Sequence, residues 1–540
     1  MGRQSRAPPG HRFSSTSKLF RKRLEAYFLL SGIAAHVLLL AALLAIPIMS
    51  GGHSVTEVVR KVPGKLQGKY PTLASAAAVL RDLLPAKHNA VRLDLPAFPG
   101  PRQWPAQGVF PEGLKAQHYD GRGIPVQSAP GMEPPSGVIR VVPVNDTKSL
   151  LNAVANAKAG DAISLQPGTY RVKGRRIKLG GHGTPNTPIY VRAKTFGDVT
   201  IELDTLEGFF VDKSYWVFEN LRIKGVCTDD SRCEHAFHVF GSAIGVTLRN
   251  NELVDFNAAL KVNGDRRKGR ERFPDFGLVQ NNDIYNSRPR NTGNPATPLN
   301  INAGNGWVVS ANFIADFSKG RGNRISYAAF MKGNSENGIF ERNLVVCHWR
   351  LPVKGDIRLG LSLGGGGTGD RFCRGGDCST EHTGGIIRNN IIARCPADVG
   401  IYLNRAAHTQ VHNNLLIANT GIDVRFESSS ASIHNNIIDG RIKNRDGGTH
   451  FSDNNLIVSD CSWFAHWLNP CTPQDWYAAA LAGDFRLREG RRILDRGNID
   501  PEAALDLCGK PRPSKPDIGP IEYDTAAPCL PAAAGLLHIE

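Results

Sequence analysis

NLRI at Asn220–Ile223, NELV at Asn251–Val254, NDIY at Asn282–Tyr285, NFIA at Asn312–Ala315 and NLVV at Asn343–Val346 repeat one pattern, an asparagine set against a short apolar run. The asparagines lie 31, 31, 30 and 31 residues apart. Asn390, Asn414, Asn436 and Asn455 continue the series after a step of 47, at intervals of 24, 22 and 19. A fixed period of this length, with strands in each unit, predicts an all-β solenoid: a single-stranded parallel β-helix. Successive coils of such a helix stack at about 4.8 Å, so an asparagine at an inward-turning corner can hydrogen-bond to its copies above and below. Asparagine also tolerates the left-handed backbone of a tight bend, so one residue per coil is expected to serve as both ladder rung and corner.

A chain of 540 residues is long for one domain, but a solenoid grows by adding coils and needs no second core. The net charge is +16, and it is still +10 without residues 1–26, which hold seven Lys or Arg against Glu25 alone. That balance favours an acidic partner: nucleic acid, anionic lipid or an acidic polysaccharide. From Tyr27 to Met49 no residue carries a formal charge, and Arg21, Lys22 and Arg23 stand just before the run. The run is long enough for one transmembrane helix, and the basic flank predicts a cytoplasmic amino terminus with export of everything after Met49. A cleaved signal peptide is the rival reading.

All ten cysteines lie beyond this segment, as expected of an exported chain. Cys227 with Cys233, Cys373 with Cys378 and Cys461 with Cys471 are spaced to clip loops, and Cys508 with Cys529 to pin the tail; the spacings lack the paired Cys-x-x-Cys of a structural zinc site. The expected organisation is therefore a basic cytoplasmic tail (1–26), a transmembrane signal anchor (27–49), a linker with a short helix and a Pro/Gly-rich spacer (50–137), the β-helix (138–525) and a tail (526–540). Within the folded part, Val138 to Val144 reads as a strand and Asp146 to Lys158 as a helix that caps the open end of the solenoid.

Asp161 to Arg171 (DAISLQPGTYR), after that helix, and Asp484 to Leu487 with Asp517 to Tyr523 (DIGPIEY) resemble the pectin-lyase-like superfamily of right-handed parallel β-helices. The closing segments are similar to those of bacterial members. With the anchor, this implies a single-pass protein of a bacterial inner membrane whose carboxy-terminal domain is periplasmic or extracellular.

Alternation along the strands separates inside from outside. Phe237, Val239, Leu260 and Val262 should point inward, which leaves His238, Lys261 and Asn263 outward. The same rule exposes Asn300 and Asn302, then Phe330 and Lys332, then Ser362 and Gly364, then Tyr402 and Asn404, then Asp423 and Arg425. Stacked, these form one external strip, polar, cationic and aromatic, that suits an acidic polymer better than it suits plain solvation. Segments 266–273, 286–298, 316–323, 349–360 and 364–383 read as insertions that wall a groove, and many are basic. Gly364–Gly367 lacks the Gly-Lys-Ser/Thr continuation of a phosphate loop, so a close-packed backbone is expected there.

Phe330-Met331-Lys332-Gly333-Asn334, with Arg358 downstream, is similar to the lysine and arginine pattern of polysaccharide lyase family six, which includes chondroitinase B and alginate lyases. That resemblance implies Lys332 as the base that removes the C5 proton of a uronic acid, Arg358 as its partner, and Asn300 at a calcium-binding position. Ile325 and Tyr327 occupy the places of the family's acidic calcium ligands, which leaves calcium open. A lysine acts as a base only where burial or neighbours lower its pKa, and the carboxylate of the substrate must be neutralised. Lys261, His238 and Arg425 can supply that field, and Tyr402 can protonate the leaving oxygen. Glycosidases need paired carboxylates, and the strip holds mainly Asp423; the Asp-Pro-His-Asp of mannuronan epimerases is absent. Glu234-His235 and Glu381-His382 are either corner or loop packing, the commoner case, or acid/base or metal groups that meet in one site. The competing class is a non-catalytic module that holds an anionic envelope polymer on the same strip. Export argues against nucleic acid, and the sequence does not specify an oligomeric state.

Overall fold

The computed structural model describes residues 137–523, apart from 267–269, 353–354, 459–471 and 489–491. The expected membrane segment, most of the linker, the final tail and Cys461, Cys471 and Cys529 lie outside the described residues.

The chain winds through three long parallel sheets of 12, 11 and 10 strands, visiting each once per coil. One coil runs Trp216–Glu219, Arg222–Gly225 and His235–Phe240 before the next begins at Thr247. This is an all-β solenoid, consistent with the right-handed winding that parallel crossovers adopt. Side chains facing the axis fill it in stacks: Phe209 and Phe237 lie 5.5 Å apart, ring to ring, and Phe218 packs 4.8 Å from Phe237. The capping helix spans Thr147–Ala155 and buries Leu150 and Val154. It starts where the chemistry demands: Asp146 accepts from the Ser149 N–H at 2.7 Å while Ser149 Oγ accepts from the Asp146 N–H at 3.1 Å.

The asparagine ladder is real and begins at Leu221. The Leu221 N–H donates to Asn251 Oδ1, and the N–H and Nδ2 of Asn251 both donate to Asn282 Oδ1 at 3.0 Å. The same pair of hydrogen bonds links Asn282 to Asn312, Asn312 to Asn343, Asn343 to Asn390, Asn390 to Asn414, Asn414 to Asn436 and Asn436 to Asn455. Each Nδ2 also reaches back to a carbonyl of the preceding coil, as Asn312 does to Val279 O at 2.9 Å. Asn220 is not a rung. It belongs to a second row, Asn220, Asn250, Asn281, Ala311, Arg342, Asn389, Asn413, Asn435 and Asn454, and these residues hold the left-handed bend. The two tasks expected of one asparagine are thus divided between neighbours, because a side chain aimed into the bore along the ladder sits one residue beyond the turn itself.

The bend row has a further use. Arg342, Asn389, Asn413, Asn435 and Asn454 donate to the carbonyls of Leu507, Leu505, Gly519, Asn498 and Arg496. The carboxy-terminal segment is therefore laid along this corner. Its Trp476, Tyr477, Phe485, Ile518 and Ile521 cover outward apolar residues of the 11-stranded sheet such as Phe313, Leu344 and Ile391.

Cys227–Cys233 and Cys373–Cys378 are bonded as expected, and Cys347–Cys395 joins neighbouring coils. Spacing of 48 residues hid this last pair in the sequence; stacking one coil on the next places the two sulfurs together. A Cys347→Ser, Cys395→Ser double variant should lose about 2–4 kcal/mol of stability, read as a lower denaturant midpoint than that of the unaltered chain under non-reducing conditions.

Candidate functional site

The expected strip lies on the 10-stranded sheet, but as two parallel rows rather than one. In the first, Phe210, His238, Lys261, Asn300, Phe330, Ser362, Tyr402 and Asp423 are successive register partners. In the second, two residues further along the strands, Phe240 pairs with Asn263, Asn302 with Lys332, Gly364 with Asn404, and Asn404 with Arg425. The rows are linked where His238 Nε2 meets Asn263 Oδ1 at 3.2 Å; His238 Nδ1 is held at 3.0 Å by Glu207, which sequence reasoning missed.

His238, Lys261 and Asn263 are half-buried, whereas Asn300, Asn302, Ser362, Tyr402 and Asn404 are buried. The insertion after Gly364 covers part of the strip, over Lys332, Phe330 and Asn404. Its first turn crosses the strip, so that Lys332 Nζ donates to Gly366 O at 3.3 Å while lying 4.7 Å above the Phe330 ring. Gly364, Gly366 and Gly367 hold left-handed φ there, which accounts for the glycine run as close-packed backbone. Arg374, farther along the insertion, fastens it by donating to Ala303 O at 2.9 Å.

Lys261 Nζ donates to Asn300 Oδ1 at 2.7 Å. Burial, with repulsion from the Lys332 ammonium behind it, pushes Lys261 down to about 7 against the pull of Glu234. Burial also lowers Lys332, opposed by Glu381. The two Glu-His dipeptides thus do not meet: each sets one carboxylate against one lysine. Glu234 is itself pushed up by burial and bonded by Asn294 Nδ2. Glu381 Oε2 accepts from the Gly333 N–H at 2.9 Å. Their histidines are packing groups. His235 and His382 are each driven down to about 3 by burial, and His382 is tied to Ser335 Oγ at 2.8 Å.

Buried acceptors in this region that make no hydrogen bond include Asn302 Oδ1, Asn404 Oδ1, Glu381 Oε1 and Asp423 Oδ1. Such orphans are costly unless a ligand or water supplies the donor. Gly333 shows how tightly Asn302 is set, since a Cβ there would lie 1.9 Å from Asn302 Oδ1 at φ +83°. Gly333→Ala should destabilise the chain by about 1–3 kcal/mol and displace Asn302, seen as a lowered unfolding midpoint together with weaker polymer binding.

One sequence expectation fails here. Arg358 is not beside Lys332: it pairs in register with Ser326, six residues before Lys332 and so roughly 20 Å away along the strand. The strand starts at Ile357, inside the segment read as an insertion from 349 to 360. Ile325, Tyr327, Ile357, Leu359 and Tyr402 form an outward apolar cluster, while Ala328 and Ala329 both belong to the core. The alternation therefore slips by one. Arg358 is turned away, fully buried, onto Asp356 at 2.7 Å, Asp316 and the Cys347 carbonyl. The sequence leaves calcium open. The carbonyl of Asn300 accepts from an ammonium, and Ile325 and Tyr327 are apolar packing, so this set does not fit a hard cation that needs six or more oxygens.

Tyr402 sits in the first row four coils from Lys261, about 19 Å at 4.8 Å per coil. Its hydroxyl accepts from Asn404 Nδ2 at 3.0 Å and Arg425 Nη1 at 3.1 Å. It therefore belongs to a different part of the strip from Lys261, and the two cannot serve one bond.

A chondroitinase B family profile matches residues 144–222. Pectate lyase L of Dickeya chrysanthemi is 30% identical over 92 residues, which is 15% of this chain and 22% of that protein. The described residues form a parallel β-helix, and a pectate lyase is among the proteins to which the chain is similar. Of solved structures, the pectate lyase Pel9A superposes with TM-score 0.46 at 17% identity, covering 72% of this chain and 97% of that one. A family-six polysaccharide lyase from Pseudopedobacter saltans does so with TM-score 0.32 at 13% identity, covering 66% and 99%. The chain spans about a fifth of the length of the curated relative it matches. The profile match ends at residue 222, so of the first row only Phe210 falls within it, and His238, Lys261 and everything beyond lie outside.

Proposed function

We propose that the strip binds an acidic polysaccharide and cleaves it by β-elimination at a uronic acid, with Lys261 as the base. The observation that carries this reading is Lys261 itself, a lysine brought to about 7 by burial beside a second lysine, at the half-open end of a polar strip. Neutral Lys261 takes the C5 proton. The freed pair forms the C4=C5 double bond, the C4–O4 bond breaks, and O4 takes the proton back from the Lys261 ammonium on the same face. Lys332 opposes the charge that develops on the C5 carboxylate, and Asn300 and Asn302 offer amides to it. His238 and Asn263 flank the base, and Tyr402, Asn404 and Arg425 extend the strip as sugar-binding positions farther along the polymer, while Ser362, fully buried with its hydroxyl on the carbonyls of Gly364 and Tyr402, is a packing residue.

Three disulfides support an exported domain, and the uncharged run 27–49 supports a single-pass anchor in a bacterial inner membrane with this domain beyond it. The test is a panel of pectate, alginate and glycosaminoglycans incubated with the full chain and followed by the ultraviolet absorbance of the unsaturated product. Absorbance with one of them is expected. Binding to a polymer without any rise in absorbance would replace the lyase by a holding module.

A further inference from the structure

We propose that His412, His434 and Asp500 bind one divalent transition-metal ion of the zinc type, on a face separate from the strip. His412 and His434 are register partners on adjacent coils of the 12-stranded sheet, with rings 4.9 Å apart. Asp500 comes from the carboxy-terminal segment and caps the short turn Pro501–Ala503, its Oδ1 accepting from the Glu502 N–H at 2.9 Å. Its other oxygen, Oδ2, meets both imidazoles: Nδ1 of His412, and Nε2 of His434 at 2.8 Å. One donor atom from each of the three residues lies within 4.8 Å of the others. Tetrahedral zinc with bonds of about 2.0–2.1 Å separates its donors by roughly 3.4 Å, so small side-chain rotations are enough to seat an ion.

The donor set selects the class of ion. Two imidazoles and a carboxylate suit zinc, cobalt or nickel, whereas calcium and magnesium take oxygen. His412 is fully buried and its Nε2 makes no hydrogen bond, so Nδ1 is the ring nitrogen through which it engages the cluster. The nearest cation in the same row, Arg388, is directed onto Glu341 at 2.7 Å and towards Glu502. Three protein ligands leave a position for water. The consequence is mechanical: two ligands belong to late coils and the third to the segment that covers them, so the ion staples that segment in place.

The full chain, loaded with Zn2+ or Co2+ and desalted, is expected to retain one equivalent of metal and, with cobalt, to show visible absorption bands of a low-coordinate nitrogen and oxygen site. Excess Ca2+ should not displace it. His412→Ala and His434→Ala should each lower retention at least tenfold, and added zinc should raise the melting temperature of the unaltered chain alone. Retention of no metal and no cobalt spectrum by the unaltered protein would overturn the site and leave a hydrogen-bonded His-Asp-His clamp. Unchanged retention in folded histidine variants would overturn it as well. Since these residues lie off the 10-stranded sheet, neither outcome bears on the lyase assay.

Discussion

Lys261→Ala should lower formation of unsaturated product by about 10²–10⁴-fold, the range that a positioned general base contributes, with polymer affinity changed far less. The pH dependence tests the assignment more sharply than the loss. Lys261 is held near 7, well below the ordinary 10.5, so the neutral base accumulates as pH rises through about 7 and kcat/KM should climb with it. Lys332 is one reason the value is low, and removing its charge should let Lys261 rise towards its ordinary range. Lys332→Ala or Lys332→Gln should therefore move the rising limb to higher pH as well as slow the reaction. The folded state binds fewer protons than the unfolded chain between about 7 and 10.5. This group's burial penalty is thus present in full below pH 7 and relieved as pH rises through that window, which makes its contribution to stability increase with pH. A Lys332 variant whose rising limb stays where it was would reject Lys261 as the titrating base.

Asn343→Ala should be the most damaging single change in the described fold, at about 3 kcal/mol or more. It removes the Oδ1 that accepts from both the N–H and Nδ2 of Asn312, and the Nδ2 that satisfies Val309 O and Asn390 Oδ1. All of these groups are buried away from water, which cannot replace the partner. Asn455→Ala, at the half-exposed end of the ladder, should cost under about 1 kcal/mol because water can take over there. Denaturant midpoints of the two variants, measured at equal slope, separate the two positions. Equal losses would mean that the ladder does not depend on burial.

The fold was legible because its signal repeats: nine asparagines at coil spacing leave few alternatives, and the sheet registers follow from them. What the period could not supply was the phase of a single residue. Asn220 fell into the bend row since two asparagines stand side by side in most coils and either spacing fits. Arg358 failed for a related reason, because a strand that turns a corner breaks the two-residue alternation and no local residue type announces the slip. His238, Lys261 and Asn263 were readable, as they lie on short strands with clean alternation. Glu207 was not, for it comes from a coil earlier and its relevance depends only on stacking. The Glu-His dipeptides were visible, but their roles are set by which lysine each carboxylate faces, and that is a tertiary fact. Cys347–Cys395 and the His412, His434 and Asp500 cluster stayed hidden likewise, their partners being 48, 22 and 66 residues apart.

Between Asn312 and Asn343 a coil takes 31 residues, between Asn343 and Asn390 it takes 47, and between Asn436 and Asn455 only 19, yet every rung of the ladder is bonded alike. Length is thus free to vary inside a coil while the vertical alignment of coils is locked. Such a molecule can evolve in two independent ways. Its reach along a polymer changes in whole-coil steps, and the height of its walls changes residue by residue, so a new specificity can be tried by lengthening one insertion without disturbing the alignment of any side chain beneath it.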